Sequence, residues 1–264
     1  MPFDATILLT TLIVTMGMFS LVWALHVRLK DAGIIDFYWG TGFAVIAVLC
    51  FALSGERSPY QIILLITTIA WALRLTAHIA LRHKKSSAED RRYARMRKNT
   101  GPSFWWISLF KIFLLQAIIM WLIATPQHFG LISAALPLSM TTKIIFFAGL
   151  SLFIIGFMIE SIADWQLSQF KTIKKNHNKT CSQGLWSYSR HPNYFGEATL
   201  WWGFGLMGLA LSGSVIALAG PALLNFLIIK VSGVVMLENH LAPEKAGYKE
   251  YISKTSRFFP RRPK

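Results

Sequence analysis

The sequence predicts an all-α integral membrane protein of seven transmembrane helices, with a polar cavity open to the cytosol. Three observations carry that expectation. Apolar runs recur along nearly the whole chain, each near the roughly twenty residues needed to cross about 30 Å of hydrocarbon. Hydrophobic residues fill 54% of the 264 positions and the mean hydropathy is +0.46, which sets the chain apart from soluble domains. Basic residues gather in alternate connections, and the ionisable residues inside the apolar runs crowd toward one end of each.

The spans fall near 6–26, 34–54, 60–81, 104–124, 142–165, 194–212 and 215–237. The first lacks a basic n-region and a cleavage site, so it is expected to be a retained helix. No polar stretch is long enough for a separate soluble domain, and residues 1–264 are expected to form one domain. The connection after the first span holds Arg28 and Lys30, and Ser54–Tyr60 only Arg57. Residues Arg82–Pro102 are densely basic, whereas Thr125–Met140 lack lysine and arginine altogether. Of the 27 basic residues, 22 lie on one side of this arrangement and two, Arg57 and Lys143, on the other. The positive-inside rule then places the C-terminus in the cytoplasm and the N-terminus outside.

That distribution also explains the net charge of +15 without nucleic acid. Anionic lipid headgroups are the expected partners of the basic loops, and no obligate protein partner is implied. Cys50 and Cys181 form no disulfide framework and no ligand spacing, so no metal site is expected.

Inside or at the ends of spans lie Asp36, Arg74, His78, Lys111, Glu160, Asp164, Glu197, Lys230 and Glu238. Given the alternating helix directions, all fall in the cytoplasmic half. A transport path needs polar groups in both leaflets, so a cavity open on one side fits better. Arg74 and His78 are four residues apart, as are Glu160 and Asp164, so each pair shares a helix face. Structural ion pairing or snorkelling is the plainer alternative, and it suits Lys111 and Lys230 taken singly. No internal repeat is visible, which argues against an inverted-repeat transporter.

The densest polar stretch is Gly184-Leu185-Trp186-Ser187-Tyr188-Ser189-Arg190-His191-Pro192-Asn193-Tyr194-Phe195-Gly196-Glu197. It opens the sixth span, where lipid-facing polar groups would be costly, and so reads as one wall of a site at the membrane surface. Nucleotide-loop, zinc-protease and serine-hydrolase motifs are absent. A histidine beside cations, such as His191, reads as a hydrogen-bonding group rather than a base. Arg82, His83, Lys84 and Lys85 end one helix, while Lys171, Lys174 and Lys175 follow another, at a density suited to phosphates. Anionic lipid would explain each loop by itself, and Arg91-Arg92-Tyr93-Ala94-Arg95-Met96-Arg97 reads as a helix lying on headgroups.

The 184–197 stretch resembles the C-terminal signature of membrane steroid 5-alpha-reductases. It is also similar to the corresponding regions of sterol C14 reductases and isoprenylcysteine carboxyl methyltransferases. Asp164 upstream, Gly247-Tyr248-x-x-Tyr251 and Phe259-Pro260 downstream match the same layout. Asp36-Phe37-Tyr38-Trp39-Gly40 is similar to bacterial members, for which an inner-membrane location is expected. The resemblance implies a seven-helix reductase that binds NADPH from the cytosol and passes hydride to the C=C of a 3-oxo-delta-4 steroid or similar enone lipid. Asp164, Asn193, Tyr194 and Glu197 match cofactor-contacting positions, and Arg82, His83, Lys85 and Lys171 fall near phosphate-holding ones. Glu160, Tyr188, Arg190, His191 and Glu238 complete the candidate cofactor set.

Enone reduction also needs a donor near the carbonyl in a dry slot. Asp36, Tyr38 and Trp39 are the candidates, with Arg74 and His78 to orient them. Where the family's eukaryotic members carry a tyrosine, three residues before the helix arginine, this chain has Trp71, and Asp36 is the nearest substitute for their glutamate. Asp36 either holds a proton, as a donor must, or meets a cation and fixes geometry. Two rivals stay open: a methyltransferase of the isoprenylcysteine kind, and a non-catalytic sterol- or lipid-binding membrane protein. The phosphate-sized cationic clusters favour NADPH over S-adenosylmethionine, which has no phosphate.

Overall fold

The computed structural model describes residues 4–55, 57–84, 89–135, 137–176, 179–231 and 247–263. Its regular elements are helical, as the sequence predicts. Five stretches are long and apolar enough to cross a membrane: Ala5–Leu29, Ala32–Leu53, Pro59–His83, Arg91–Ile123 and Met140–Thr172. They mark an integral membrane protein. The sixth expected span is a helix, Pro192–Ser212, but its glycines, tryptophans and Glu197 dilute its hydropathy. Of the seventh, expected at 215–237, the described residues hold the apolar helix Val215–Val231, and 232–237 lie outside the described residues.

The chain divides into two compact units, Met1–Lys143 with Gly208–Ala217, and Ile144–Met207 with Leu218–Lys264. In the first unit α1 (Ala5–Leu29) is capped by Asp4, which accepts the Thr6 N–H at 2.9 Å. It ends at Lys30, in the left-handed region at φ 54°. Asp31 then accepts the Gly33 N–H and opens a 3₁₀ turn, Ala32–Phe37, which feeds α2 (Tyr38–Leu53). A capping box starts α3 (Pro59–Lys84): the Ser58 N–H donates to Gln61 Oε1 and the Gln61 N–H to Ser58 Oγ. Asp90 caps α4 (Arg91–Thr100) by accepting the Arg92 N–H.

Beyond Gly101 come α5 (Phe104–Ser108), a π-helical segment (Leu109–Leu114) and α6 (Leu115–Ile123). Next is α7 (Thr125–Ile132), which occupies part of what the sequence suggests to be a loop. Its Pro126 near the N-terminus is a helix-start signal. Trp121, Thr11, Gln127 and Thr68 supply hydrogen bonds between these helices, the kind of polar contact that substitutes for hydrophobic driving force inside a bilayer. Leu9, Ile13 and Leu21 of α1 are exposed, as a lipid-facing surface requires.

The second unit is built on most of α8 (Met140–Thr172), from Ile144 onward, and of α10 (Pro192–Ser212), up to Met207, joined through the one-turn helix α9 (Leu185–Tyr188). Two glycines seven residues apart on each helix bring the backbones together. A Cβ on Gly196 would stand 2.5 Å from the Glu160 nitrogen and 2.8 Å from the Gly156 oxygen. One on Gly203 would stand 2.6 Å from the Gly149 oxygen, and one on Gly149 2.7 Å from the Gly203 oxygen. All of these obstacles are backbone atoms, which have little freedom to yield. Larger residues at these positions would force the helices apart.

We expect Gly196→Val to destabilise the second unit by about 2–3 kcal/mol through overpacking. Gly17→Ala on α1, where a new Cβ meets nothing within 4 Å, should be neutral or slightly stabilising. Thermal denaturation in detergent checks both, and equal melting temperatures for the two variants would contradict the close contact.

Candidate functional site

In the second unit the glycine contact sets the register of the acidic residues. Gly196 rests on Glu160, so Asn193, one turn earlier on α10, meets Asp164, one turn later on α8. The Asn193 Nδ2 donates to Asp164 Oδ1 at 3.2 Å. Glu160 and Asp164 are 4% and 7% exposed, so two of the sequence-predicted carboxylates lie buried on one face. Lys171 lies two turns further along α8 and is exposed.

The 184–197 stretch is fastened to α8 on one side and to the chain's end on the other. Leu185 N–H donates to Gln166 Oε1 at 3.0 Å, and Trp186 Nε1 to the Ala163 carbonyl at 3.0 Å. The Arg190 N–H donates to the Ser256 carbonyl, Ser189 Oγ to that of Phe258, and the Arg261 N–H to that of Tyr188. Tyr251 OH donates to the Trp186 carbonyl, and burial pushes its phenol above the usual range. Trp186, Ser189, Tyr251 and the tail are thus the brace, while Asn193, Tyr194 and Glu197 are carried on the first turns of α10. His191 stacks on Tyr194 with ring centroids 5.8 Å apart. Tyr188 keeps its ring exposed.

In the first unit a hydrogen-bonded chain runs through Asp36. The Trp39 Nε1 donates to Gln116 Oε1 at 2.7 Å, and Gln116 Nε2 to the Tyr93 hydroxyl at 3.3 Å. Tyr93 in turn donates to Asp36 Oδ1 at 2.9 Å, and an Arg92 guanidinium nitrogen lies 3.1 Å from Oδ2. Asp36 therefore meets a cation, and that cation is Arg92 rather than Arg74. Arg92 also grips Asp90, while Arg97 pairs with Glu89 at 2.8 Å. Burial alone would push both carboxyls up. Hydrogen bonds from Arg97 and the Ala32 N–H hold Glu89 below its ordinary range, and Arg92, with Arg82 nearby, does the same for Asp90. Arg82 also lies within electrostatic reach of Asp36. His83 faces Asp31 at 3.4 Å. Arg74 and His78 share a face of α3, each engaged in interactions of its own.

Tyr38 is placed differently. Its backbone N–H closes the 3₁₀ turn onto the Ile35 carbonyl and also reaches that of Asp36. Its side chain lines a cavity of about 360 Å³ with Leu25, Ile34, Phe37, Thr41 and Thr76, within the range of small-molecule pockets. Sequence reasoning missed Tyr93 and Arg92, because the basic α4 reads as a headgroup-binding helix, and Gln116, a single amide within the apolar α6. The available signal was Glu89-Asp90, two acids heading an otherwise basic segment. Lys85 and Glu238 lie outside the described residues, and among the described residues no His, Cys, Asp and Glu group could hold a metal ion.

Burial, with Arg190 and Arg257 beside it, pushes the His191 imidazole down to about 4 from an ordinary 6.5. The unfolded chain therefore takes up a proton before the folded one as pH falls. Stability from this residue is full above about 6.5 and drains as pH falls toward about 4. Melting temperature should drop across that window, and His191→Gln should shallow the drop. An unchanged slope in the variant would contradict a buried neutral imidazole.

A family model described as a protein of unknown function, DUF1295, matches residues 22–255. An uncharacterized protein of Schizosaccharomyces pombe is 26% identical over 282 aligned positions, spanning 92% of this chain and 76% of the yeast protein. No solved structure matches the chain. A match over most of the length decides membership: the chain belongs to the DUF1295 family of membrane proteins, which is related to the steroid 5-alpha-reductases.

Proposed function

We propose that the protein is an NADPH-dependent membrane reductase that saturates the C=C of an enone lipid such as a 3-oxo-delta-4 steroid. In this reading the chain crosses the membrane seven times, with its C-terminus and its cofactor-binding cavity on the cytoplasmic side of a bacterial inner membrane. The observation that carries it is Tyr38, a phenol opening on an apolar cavity and seated beside the Asp36 network. Among the described residues its hydroxyl has no hydrogen-bond partner. It is therefore a donor available to a ligand, whereas the Tyr93 hydroxyl and the Trp39 indole are already engaged.

The residues of the second unit fit the cofactor by their chemistry. Asn193 spends one amide hydrogen on Asp164 and keeps a second donor and a carbonyl, the complement of a carboxamide. Glu197 stands one turn further along α10, and Lys171 and Arg190 offer charge to phosphates. When bound, NADPH supplies the hydride. What the chain supplies is a phenol that donates to the substrate oxygen as negative charge builds there. Asp36, held by Arg92 and Tyr93, keeps the turn bearing Tyr38 in place. Leu25, Ile34 and Phe37 keep the slot dry, which strengthens that hydrogen bond.

Purified protein incubated with NADPH and testosterone or progesterone should yield the saturated ketone, two mass units heavier. Tyr38→Phe should lower kcat by about 10²–10³, the usual loss for one donor to a developing oxyanion, with NADPH affinity unchanged. Asp36→Asn should also lower kcat, by misplacing the turn. Full turnover in Tyr38→Phe would remove Tyr38 from the chemistry, and no NADPH consumption with any enone would reject the reductase reading.

A further inference from the structure

A second cavity, of about 770 Å³, lies in the second unit at the end of α8. Its lining comes wholly from residues 165–184, and it is separate from the acidic face already described. Trp165, Gln166 and Gln169 line it, and they stand roughly 100–200° around α8 from Asp164. We propose that this cavity holds the phosphate headgroup of an anionic phospholipid, with the acyl chains lying along α8.

The lining is chemically suited to an anion. Lys179 is part of the wall, and Lys174 and Lys175 belong to the same segment, in which no aspartate or glutamate occurs between residues 165 and 196. Thr180 Oγ1 is buried and finds no hydrogen-bond partner among the described residues. Gln166 Oε1 accepts the Leu185 N–H, which leaves its amide hydrogens as donors. A phosphate accepts hydrogen bonds and donates none in its ionised form, so a wall of ammonium, hydroxyl and amide donors is its complement.

The lipid source follows from the helix surface that leads there. Ile155, Met158, Ile162 and Trp165 are all exposed on α8, at the three- and four-residue spacing of one continuous stripe. The stripe runs from the apolar stretch of a candidate membrane span to Trp165, an exposed tryptophan at the cavity's wall. Such a residue marks the depth where acyl chains give way to headgroups. A free phosphate would use the cavity but not the stripe.

Native mass spectrometry of the full chain, delipidated in uncharged detergent, tests the proposal with phosphatidylglycerol, phosphatidylcholine and glycerol 3-phosphate as probes. The chain should retain phosphatidylglycerol over phosphatidylcholine. Lys179→Gln should cut phosphatidylglycerol occupancy about fivefold, the usual effect of one cation near anionic lipid. Thr180→Val should weaken it in the same direction, and Trp165→Ala should weaken both lipids. Millimolar glycerol 3-phosphate should displace neither. Unchanged retention in both Lys179→Gln and Thr180→Val, each eluting as a single monodisperse peak, would overturn the site. Full displacement by glycerol 3-phosphate would overturn the lipid as its occupant.

Discussion

The second unit depends on the contact between α8 and α10, where Gly149 and Gly156 meet Gly203 and Gly196 backbone to backbone. Inside a bilayer, apolar side chains gain little by leaving lipid for one another, so helix association rests on close packing and hydrogen bonds. Four positions without a Cβ supply the packing. The same contact leaves one register for the chemistry above it, with Asp164 against Asn193. The 184–197 stretch then has two tasks. Trp186, Ser189 and their partners in the tail hold the end of α10 in place, and Asn193 and Glu197 are what is held.

The first unit solves the cost of charge in apolar surroundings differently. An isolated carboxylate on Asp36 would be expensive there. Arg92 and the Tyr93 hydroxyl meet it from α4, and Gln116 and Trp39 extend the network into α6 and α2. Truncating either partner would leave buried charge behind, so the network constrains where α4 lies. It engages both Asp36 carboxylate oxygens, whereas Tyr38 lines the apolar cavity.

Much of this architecture is legible in the sequence because membrane solvation imposes it. The span expected at 34–54 is found as Ala32–Leu53, and that at 60–81 as Pro59–His83. Glu160 and Asp164 share a buried face, as their spacing requires. What escaped the sequence is tertiary. Asp36 and Arg92 are 56 residues apart, and no local pattern distinguishes an arginine facing lipid from one facing a carboxylate. Likewise the lack of lysine and arginine in Thr125–Met140 reads as a plain connection between spans and hides the short helix Thr125–Ile132, which the start signal at Pro126 marks. The structural part of the 184–197 stretch was equally hidden, since its hydrogen bonds run to residues about seventy positions downstream, such as Phe258.

The claim that joins these parts is that the α8–α10 register serves a nicotinamide cofactor. Equilibrium binding of NADPH to the purified protein, with and without Asn193→Ala, tests it most directly. The account predicts saturable binding to the unaltered chain and its loss in Asn193→Ala, with the variant still folded and monodisperse. Equal affinity in both proteins would contradict it and reduce the Asp164–Asn193 pair to a structural hydrogen bond.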